Sequence, residues 1–166
     1  MVAHASATRP VTFERERGVY RIELTRGLAH VAVTVGDGPD RTERIQRILA
    51  ALAEAQIPIF LIKLHRDSLT FGVEAGRLEH VERCLGSAAS DCTAQRDLAL
   101  ATVLATSMSD LTGVMVSIAD ALQRASARLI GVGDSHNSVQ LLIDGSRAEE
   151  AVAELESAFE LRFRDA

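Results

Sequence analysis

The sequence predicts an α+β protein made of two copies of one small module, each an antiparallel sheet with two helices on one face. Three observations predict it. The first is internal repetition: Ile48 to Ile62 aligns without a gap on Ile118 to Val132, an offset of 70 residues. The match continues in both directions, with Val33 on Val103, Asp40 on Asp110, Leu52 on Leu122, Ser68 on Ser138, Val73 on Ile143 and Arg77 on Arg147. The second is the order of hydrophobic periods, which in each copy reads strand, helix, strand, strand, helix. The third is composition. Hydrophobic residues are 47% of the 166-residue chain and charged residues 25%, with no tryptophan. Such a chain folds around an aliphatic core, as one ordinary domain or two small ones. The period is too long for a solenoid unit, and two copies are too few for an array.

Residues 1–17 read as a disordered arm, because Met1 to Pro10 lacks the apolar centre of a secretory signal and Glu14 to Arg17 is a run of mixed charge. The first module spans 18–86. Tyr20, Ile22 and Leu24 alternate with Arg21, Glu23 and Thr25, the pattern of a half-buried strand. Gly27 marks a turn, and Leu28 to Val35 is a second strand. After the turn cluster 36–40, a helix is expected over 41–55, with Ile45, Ile48, Leu49 and Leu52 on one face. Asp40 or Thr42 can cap its start, and Pro58 requires it to have ended. Residues 57–64 form a buried strand, His65-Arg66-Asp67 a turn, and 68–73 the antiparallel return. A second helix covers 76–85, with Leu78, Val81 and Leu85 inward.

Residues 87–96 are small and polar and read as a linker. The second module, 97–166, repeats the order: a strand over 98–105, a loop over 106–110, and a helix over 111–125 with Val114, Ile118 and Leu122 inward. A hairpin follows from 128–132 and 138–143. The closing helix, 146–159, has Ser146 as N-cap and Glu149 three residues on, a capping box, and 161–163 adds a short edge strand. This order is ferredoxin-like. The reverse face of each sheet is also apolar, so the other module or another subunit must cover it.

The formal net charge is −5 with both signs interspersed, which argues against a general nucleic-acid or anionic-membrane surface. No apolar run approaches the roughly 20 residues that span a bilayer. Cys84 and Cys92 read as ordinary thiols of a cytoplasmic chain. His65 and His136 sit in nearly equivalent hairpin turns. Without a Cys or carboxylate cluster at ligand spacing they read as exposed turn residues, so no metal is expected. His4, His30 and His80 show no pattern. No nucleophile–base motif and no phosphate-binding glycine loop is recognisable, so neither catalysis nor a cofactor is expected.

Four segments carry a resemblance to a known family. They are the strand Val19 to Leu24 ahead of the first module, Gly38-Pro39-Asp40-Arg41 with the helix end Ala51 to Ala55, Met108 to Val114, and the closing helix from Ala151 to Leu161. Together they resemble the tandem ACT regulatory region of aspartokinases over roughly residues 18–161. The resemblance implies two ferredoxin-like ACT modules, with the strand 19–24 paired into the second module's sheet. It implies a non-catalytic regulatory chain without the kinase domain that precedes this region in full-length enzymes. It further implies a homodimer, a small amino acid effector such as lysine or threonine, and a separate kinase or biosynthetic enzyme subunit as partner. No nucleic-acid or membrane partner is implied.

In such a site, a loop and a helix N-terminus offer backbone N–H groups to the effector's α-carboxylate, and a side-chain carboxylate holds the amino group. Asp40 can fill that second role or be a plain N-cap, and Asp110 shares the ambiguity. The expected ligand-binding residues are Asp40, Arg41, Thr42, Ile59 and Lys63 from one module, and Leu129, Asp134 and Ser135 from the other. Departures from the family pattern support a second reading. Thr42-Glu43 stands where the family has Pro-Gly, and Glu43 puts a negative charge where a carboxylate would dock. Leu64-His65 replaces Gln-Asn, Gly133 to His136 replaces Ser-Thr-Ser-Glu, and Thr112 replaces Pro. On that reading the chain is an ACT-type assembly module that has lost its effector.

Overall fold

The computed structural model describes residues 18–86, 92–108 and 112–161. Its elements are β1 (Val19–Thr34), α1 (Arg41–Glu54), β2 (Phe60–Leu64), β3 (Ser68–Glu74), α2 (Leu78–Leu85), β4 (Cys92–Ala105), α3 (Val114–Arg124), β5 (Leu129–Asp134), β6 (Ser138–Asp144) and α4 (Ala148–Ala158). The strands form one sheet in the order β2-β3-β1-β4-β6-β5, and every pairing is antiparallel.

The two central strands are long because each serves two halves of the sheet. Residues 19–25 of β1 pair with 100–105 of β4, while 30–33 of β1 pair with 92–95 of β4. The second half of β1 also pairs with β3, and the second half of β4 with β6. Each half of the sheet therefore has four strands, three from one module and one given by the other. The changeover occurs at two bulges, where the register slips between Thr25 and Leu28 and between Leu28 and His30. Gly27 (φ 73°) and Asp97 (φ 57°) are the left-handed residues of these bulges, and they are related by the 70-residue offset. An extra residue held in the left-handed region bends its strand and strengthens the twist. Between the bulges Leu28 lies opposite Leu98.

Two sequence expectations are corrected here. Gly27 is not a turn between two strands but a bulge within one, since left-handed glycine serves both and only the facing strand decides. Residues 92–96, read as linker, are strand. Their small and polar side chains gave no strand signal, and backbone pairing to β1 makes them one. The arm 1–17, residues 87–91, Asp110 and the expected edge strand beyond Leu161 lie outside the described residues.

Alternation along the strands divides the side chains into three cores. On the helix side of the first half, Val31, Val33, Leu69, Phe71 and Val73 pack under Ile48 and Leu52 of α1 and Val81 and Leu85 of α2. On the helix side of the second half, Ala99, Ala101, Val103, Leu141 and Ile143 pack under Ile118 and Leu122 of α3 and Ala151 and Leu155 of α4. The reverse faces form the third core, with Leu28, Leu98 and Leu142 buried among Phe60, Leu61, Leu100 and Ile130. The sheet curls until its edge strands β2 and β5 touch. The Leu61 side chain lies on Gly133 so closely that a Cβ there would collide with it. The apolar reverse faces thus cover each other within the chain. Leu61 itself is held at φ 48°, beside a register slip in β2. That backbone costs on the order of 1–3 kcal/mol and persists only where packing holds it.

The capping box expected at Ser146 is absent. A short 3-10 turn, Gly145–Arg147, leads into α4, whose N-cap position is Arg147 without a side-chain cap. Ser146 donates to Asp144 Oδ2 at 3.0 Å, and the other Asp144 oxygen accepts the Arg128 amide at 2.6 Å. The turn packs against the Asp97 bulge, where a Cβ on Gly145 would lie 2.6 Å from the Asp97 carbonyl. With that contact in place the helix starts at Ala148, one residue later than the capping pattern indicates.

Because the halves share strands, they should unfold together. Leu98→Ala is expected to cost about 2–5 kcal/mol, the range for deleting a buried leucine. Gly27→Ala is expected to cost about 1–2 kcal/mol from backbone conformation alone, since nothing lies within 4 Å of its Cβ position. Denaturant titrations followed by circular dichroism should show one transition in both variants. His30, on the reverse face, titrates below the ordinary histidine range because burial and then the nearby His65 disfavour its charge. The unfolded chain therefore takes up this proton first as pH falls. Stability should be full above about pH 6.5 and decline below it, and His30→Gln should flatten that decline in melts across the range.

Candidate functional site

A cavity of about 690 Å³ opens at the start of α3. Two segments build it. Gly113, in the left-handed region at φ 80°, turns the chain into α3, and no side chain among the described residues caps the helix. Val114, Met115 and Val116 of its first turn line one wall. The β5–β6 corner supplies the other wall, with Asp134, Ser135 and His136 at the rim and Val132 and Val139 below. Met108 closes one end and is tied to the corner through its amide, which donates to the His136 carbonyl at 2.8 Å. Within the corner the Ser135 amide donates to the Ser138 carbonyl at 2.8 Å, and the two hydroxyls are 2.7 Å apart.

The electrostatics of this pocket are two-ended. The uncapped first turn of α3 presents the positive end of the helix dipole. Opposite it, the Asp134 carboxylate is exposed and has no hydrogen-bond or ion-pair partner among the described residues. Between the two lie methionine and valine side chains. The geometry suits a small molecule carrying an anionic group, a cationic group and a modest apolar part.

The first module places different residues at the same positions. Val114 corresponds to Arg44, Asp134 to Leu64, Ser135 to His65 and His136 to Arg66. Arg44 donates from Nε and Nη2 to Asp40 Oδ2 at 2.9 and 2.6 Å, and from Nη1 to the Val35 carbonyl at 3.2 Å. Arg41 spans to the β2–β3 turn, donating to the carbonyls of His65 at 2.6 Å and Arg66 at 3.1 Å. Arg66 in turn donates to Asp37 at 3.2 Å. The chain's own guanidinium groups therefore cross the space that is open at α3. The hydrogen bonds from Arg44 hold the Asp40 carboxyl below the usual carboxylate range. Asp40 occupies the N-cap position of α1, but its side chain does not cap the helix.

The eight residues expected from the sequence fall into separate places. Asp40, Arg41 and Thr42 gather at the start of α1. Lys63, Asp134 and Ser135 come together across the seam, lining a groove of about 440 Å³ where β2 meets β5. Ile59 packs onto the helix-side core of the first half instead. Leu129 is exposed at the start of β5 and does not line the groove. Sequence reasoning left out Met108, Gly113 to Val116 and His136 as site residues. The signal for them was the repeat itself, which sets Val114 against Arg44.

Several solved structures similar to this chain are regulatory regions of aspartate kinases. The ligand-free regulatory subunit of aspartate kinase from Thermus thermophilus matches with a TM-score of 0.78 at 18% identity, over 87% of this chain and 100% of that one. The fold is that of an aspartate kinase regulatory subunit. A structure of aspartokinase alpha and beta subunits also gives 0.78, at 24% identity, covering 87% of this chain and 100% of that one. Aspartokinase III of E. coli, in complex with aspartate and ADP, gives 0.75 at 18% identity over 89% of this chain and 35% of that one. No protein-family model and no curated protein sequence matches the chain.

Arg44→Val gives the first module the residue found at Val114. The Asp40 carboxyl should then titrate closer to the ordinary aspartate value, read by NMR titration of its side-chain carbon. Overall stability should change little, since the ion pair is solvent-exposed.

Proposed function

We propose that this chain is a non-catalytic regulatory module that binds one small amino acid in the α3 pocket. One observation carries the reading: the uncapped start of α3 faces an unpartnered Asp134 across an apolar floor. The α-carboxylate would accept from the first-turn amides of α3, and Asp134 would hold an ammonium group. Lysine, threonine and methionine are the aspartate-family amino acids that fit this chemistry. A ligand there changes the activity of a partner only through different affinity for two arrangements of the chain. A separate kinase or biosynthetic enzyme subunit is the partner this reading implies, and the solved alpha and beta aspartokinase subunits of like fold support it. A homodimer belongs to the same reading, because Ile62, Leu64, Met115 and Val116 are large apolar side chains left exposed.

A second reading, an assembly module without an effector, is favoured by the first module, where Arg44 and Arg41 occupy the corresponding space. On the primary reading, therefore, one effector binds per chain rather than two.

Thermal melts against the twenty amino acids test both readings. A ligand at a hundredfold excess over its Kd adds about 2.7 kcal/mol of stability, or roughly 5–10 °C for a chain of this size. Asp134→Asn and Val114→Arg should each abolish the rise given by the binding amino acid while leaving the unliganded melt nearly unchanged. A flat response to all twenty would leave the assembly reading standing.

A further inference from the structure

A second cavity, of about 250 Å³, lies in the seam between the reverse faces and shares only Val132 with the α3 pocket. Its two walls differ in kind. The first module supplies His30 from β1, Leu61 and Lys63 from β2, His65 from the turn and Thr70 from β3. The second supplies Ile130, Val132 and Leu142. No carboxylate lines it, and the Lys63 ammonium has no ion-pair partner among the described residues. His65 Nε2 lies 3.3 Å from Thr70 Oγ1, so the ring is held toward the cavity side of β3. A wall that gathers three groups able to carry positive charge, with no carboxylate in its own lining and the Asp134 carboxylate only in the adjoining groove beside Lys63, suits an anion. The opposite wall offers only hydrocarbon.

We propose that the seam cavity binds a small aliphatic carboxylate, its anionic head on His30, Lys63 and His65 and its hydrocarbon tail on Ile130, Val132 and Leu142. Size limits the ligand. The volume equals about eight waters' share of the liquid, which accommodates an acid of four to six carbons. Charge limits it further. An amino acid would bring its ammonium against Lys63 and His65 with only the Thr70 hydroxyl to receive it, so zwitterions are disfavoured here. Inorganic phosphate would leave the aliphatic wall unfilled. The site is therefore chemically distinct from the α3 pocket.

Because the walls come from different modules, an occupant ties the halves together and stabilises the native chain. It also takes up a proton. The groups that face His30 are Lys63 and His65, which oppose its charge, Thr70 and Gln95, which carry none, and the apolar side chains of β5 and β6. A carboxylate reverses that balance, so affinity should rise as pH falls from about 8 to about 6, by up to tenfold per unit where His30 titrates.

The test uses 3-methylbutanoate on the full chain, followed by the NMR signals of the histidine rings. The His30 and His65 rings should shift in a saturable way while the His136 ring, in the α3 pocket, stays put. Binding should be tighter at about pH 6 than at about pH 8, and at least fivefold weaker in Lys63→Met and His30→Gln. Lys63 is exposed, so its variant keeps the test meaningful should His30→Gln fold poorly. Absence of saturation at about 10 mM, the weak end of specific binding, would overturn the proposal. So would equal binding of 3-methylbutanamide, inorganic phosphate or leucine through the same two rings. A shift confined to His136 would count against the seam site and would leave the α3 reading intact.

Discussion

The reciprocal exchange of strands between the two modules is the constraint on which the rest of the structure depends. Neither module owns the fourth strand of its own half-sheet. Residues 19–25 complete the second half and residues 92–95 complete the first, so β1 and β4 are paired on both sides over much of their length. The exchange requires each strand to bend at its midpoint, and Gly27 and Asp97 supply the bend at equivalent positions. A sheet without it would leave the long central strands with unpaired edges, which invite pairing with other chains. With it, the edges of the two half-sheets are β2 and β5 on one side and the donated segments 19–25 and 92–95 on the other, and all four are short. The same bend brings the two reverse faces together over Leu28, Leu98 and Leu142 and so creates the seam.

Backbone symmetry and side-chain asymmetry do different things here. The duplicated fold places a helix start and a hairpin corner together twice. What fills each space is then decided by a few residues. Arginine at position 44 reaches Asp40 and the Val35 carbonyl, and Gly36 leaves room for its guanidinium, since a Cβ on Gly36 would lie 3.2 Å from Arg44 Nη1. Valine at the corresponding position 114 is too short to cross, and the space stays open. Leu64 gives the first corner no charge where Asp134 gives the second one. The Arg44–Asp40 pair adds little stability at an exposed site, so its consequence is occupancy.

Much of this was legible in the sequence, for reasons that depend on range. The helices over 41–54 and 114–124 follow from spacing on one face, and the hairpins from alternation around short polar turns. The repeat gave the modular plan. What the sequence obscured depends on partners remote along the chain. Residues 92–95 look like linker because strand character there comes from pairing with β1 rather than from side chains. Gly27 looks like a turn because its partner strand is some 70 residues away. Ser146 and Glu149 match a capping pattern, yet the packing of Gly145 on the Asp97 bulge overrides it. Of the expected site residues, Lys63, Asp134 and Ser135 line one groove across the seam, whereas Ile59 packs on the helix side of the sheet. The α3 pocket is legible only by setting one copy of the repeat against the other.

Strand β5 is where these features converge. It is an edge strand, paired with β6 alone, and its register slips between Leu129 and Gly131. Ile130 faces the seam core, while Val132 packs toward the helix side and borders both cavities. Gly133, just beyond, receives the Leu61 side chain, and Leu61 is the strained residue of the opposite edge. A displacement of β5 therefore changes the width of the α3 pocket, the wall of the seam cavity and the packing that holds Leu61 in its costly conformation. Edge strands with a bulge are held by fewer hydrogen bonds than central ones, so they belong to the less stable part of a fold. The exchanged strands at the centre make the halves inseparable. The freedom left to the molecule is concentrated at the two edges, where its cavities lie.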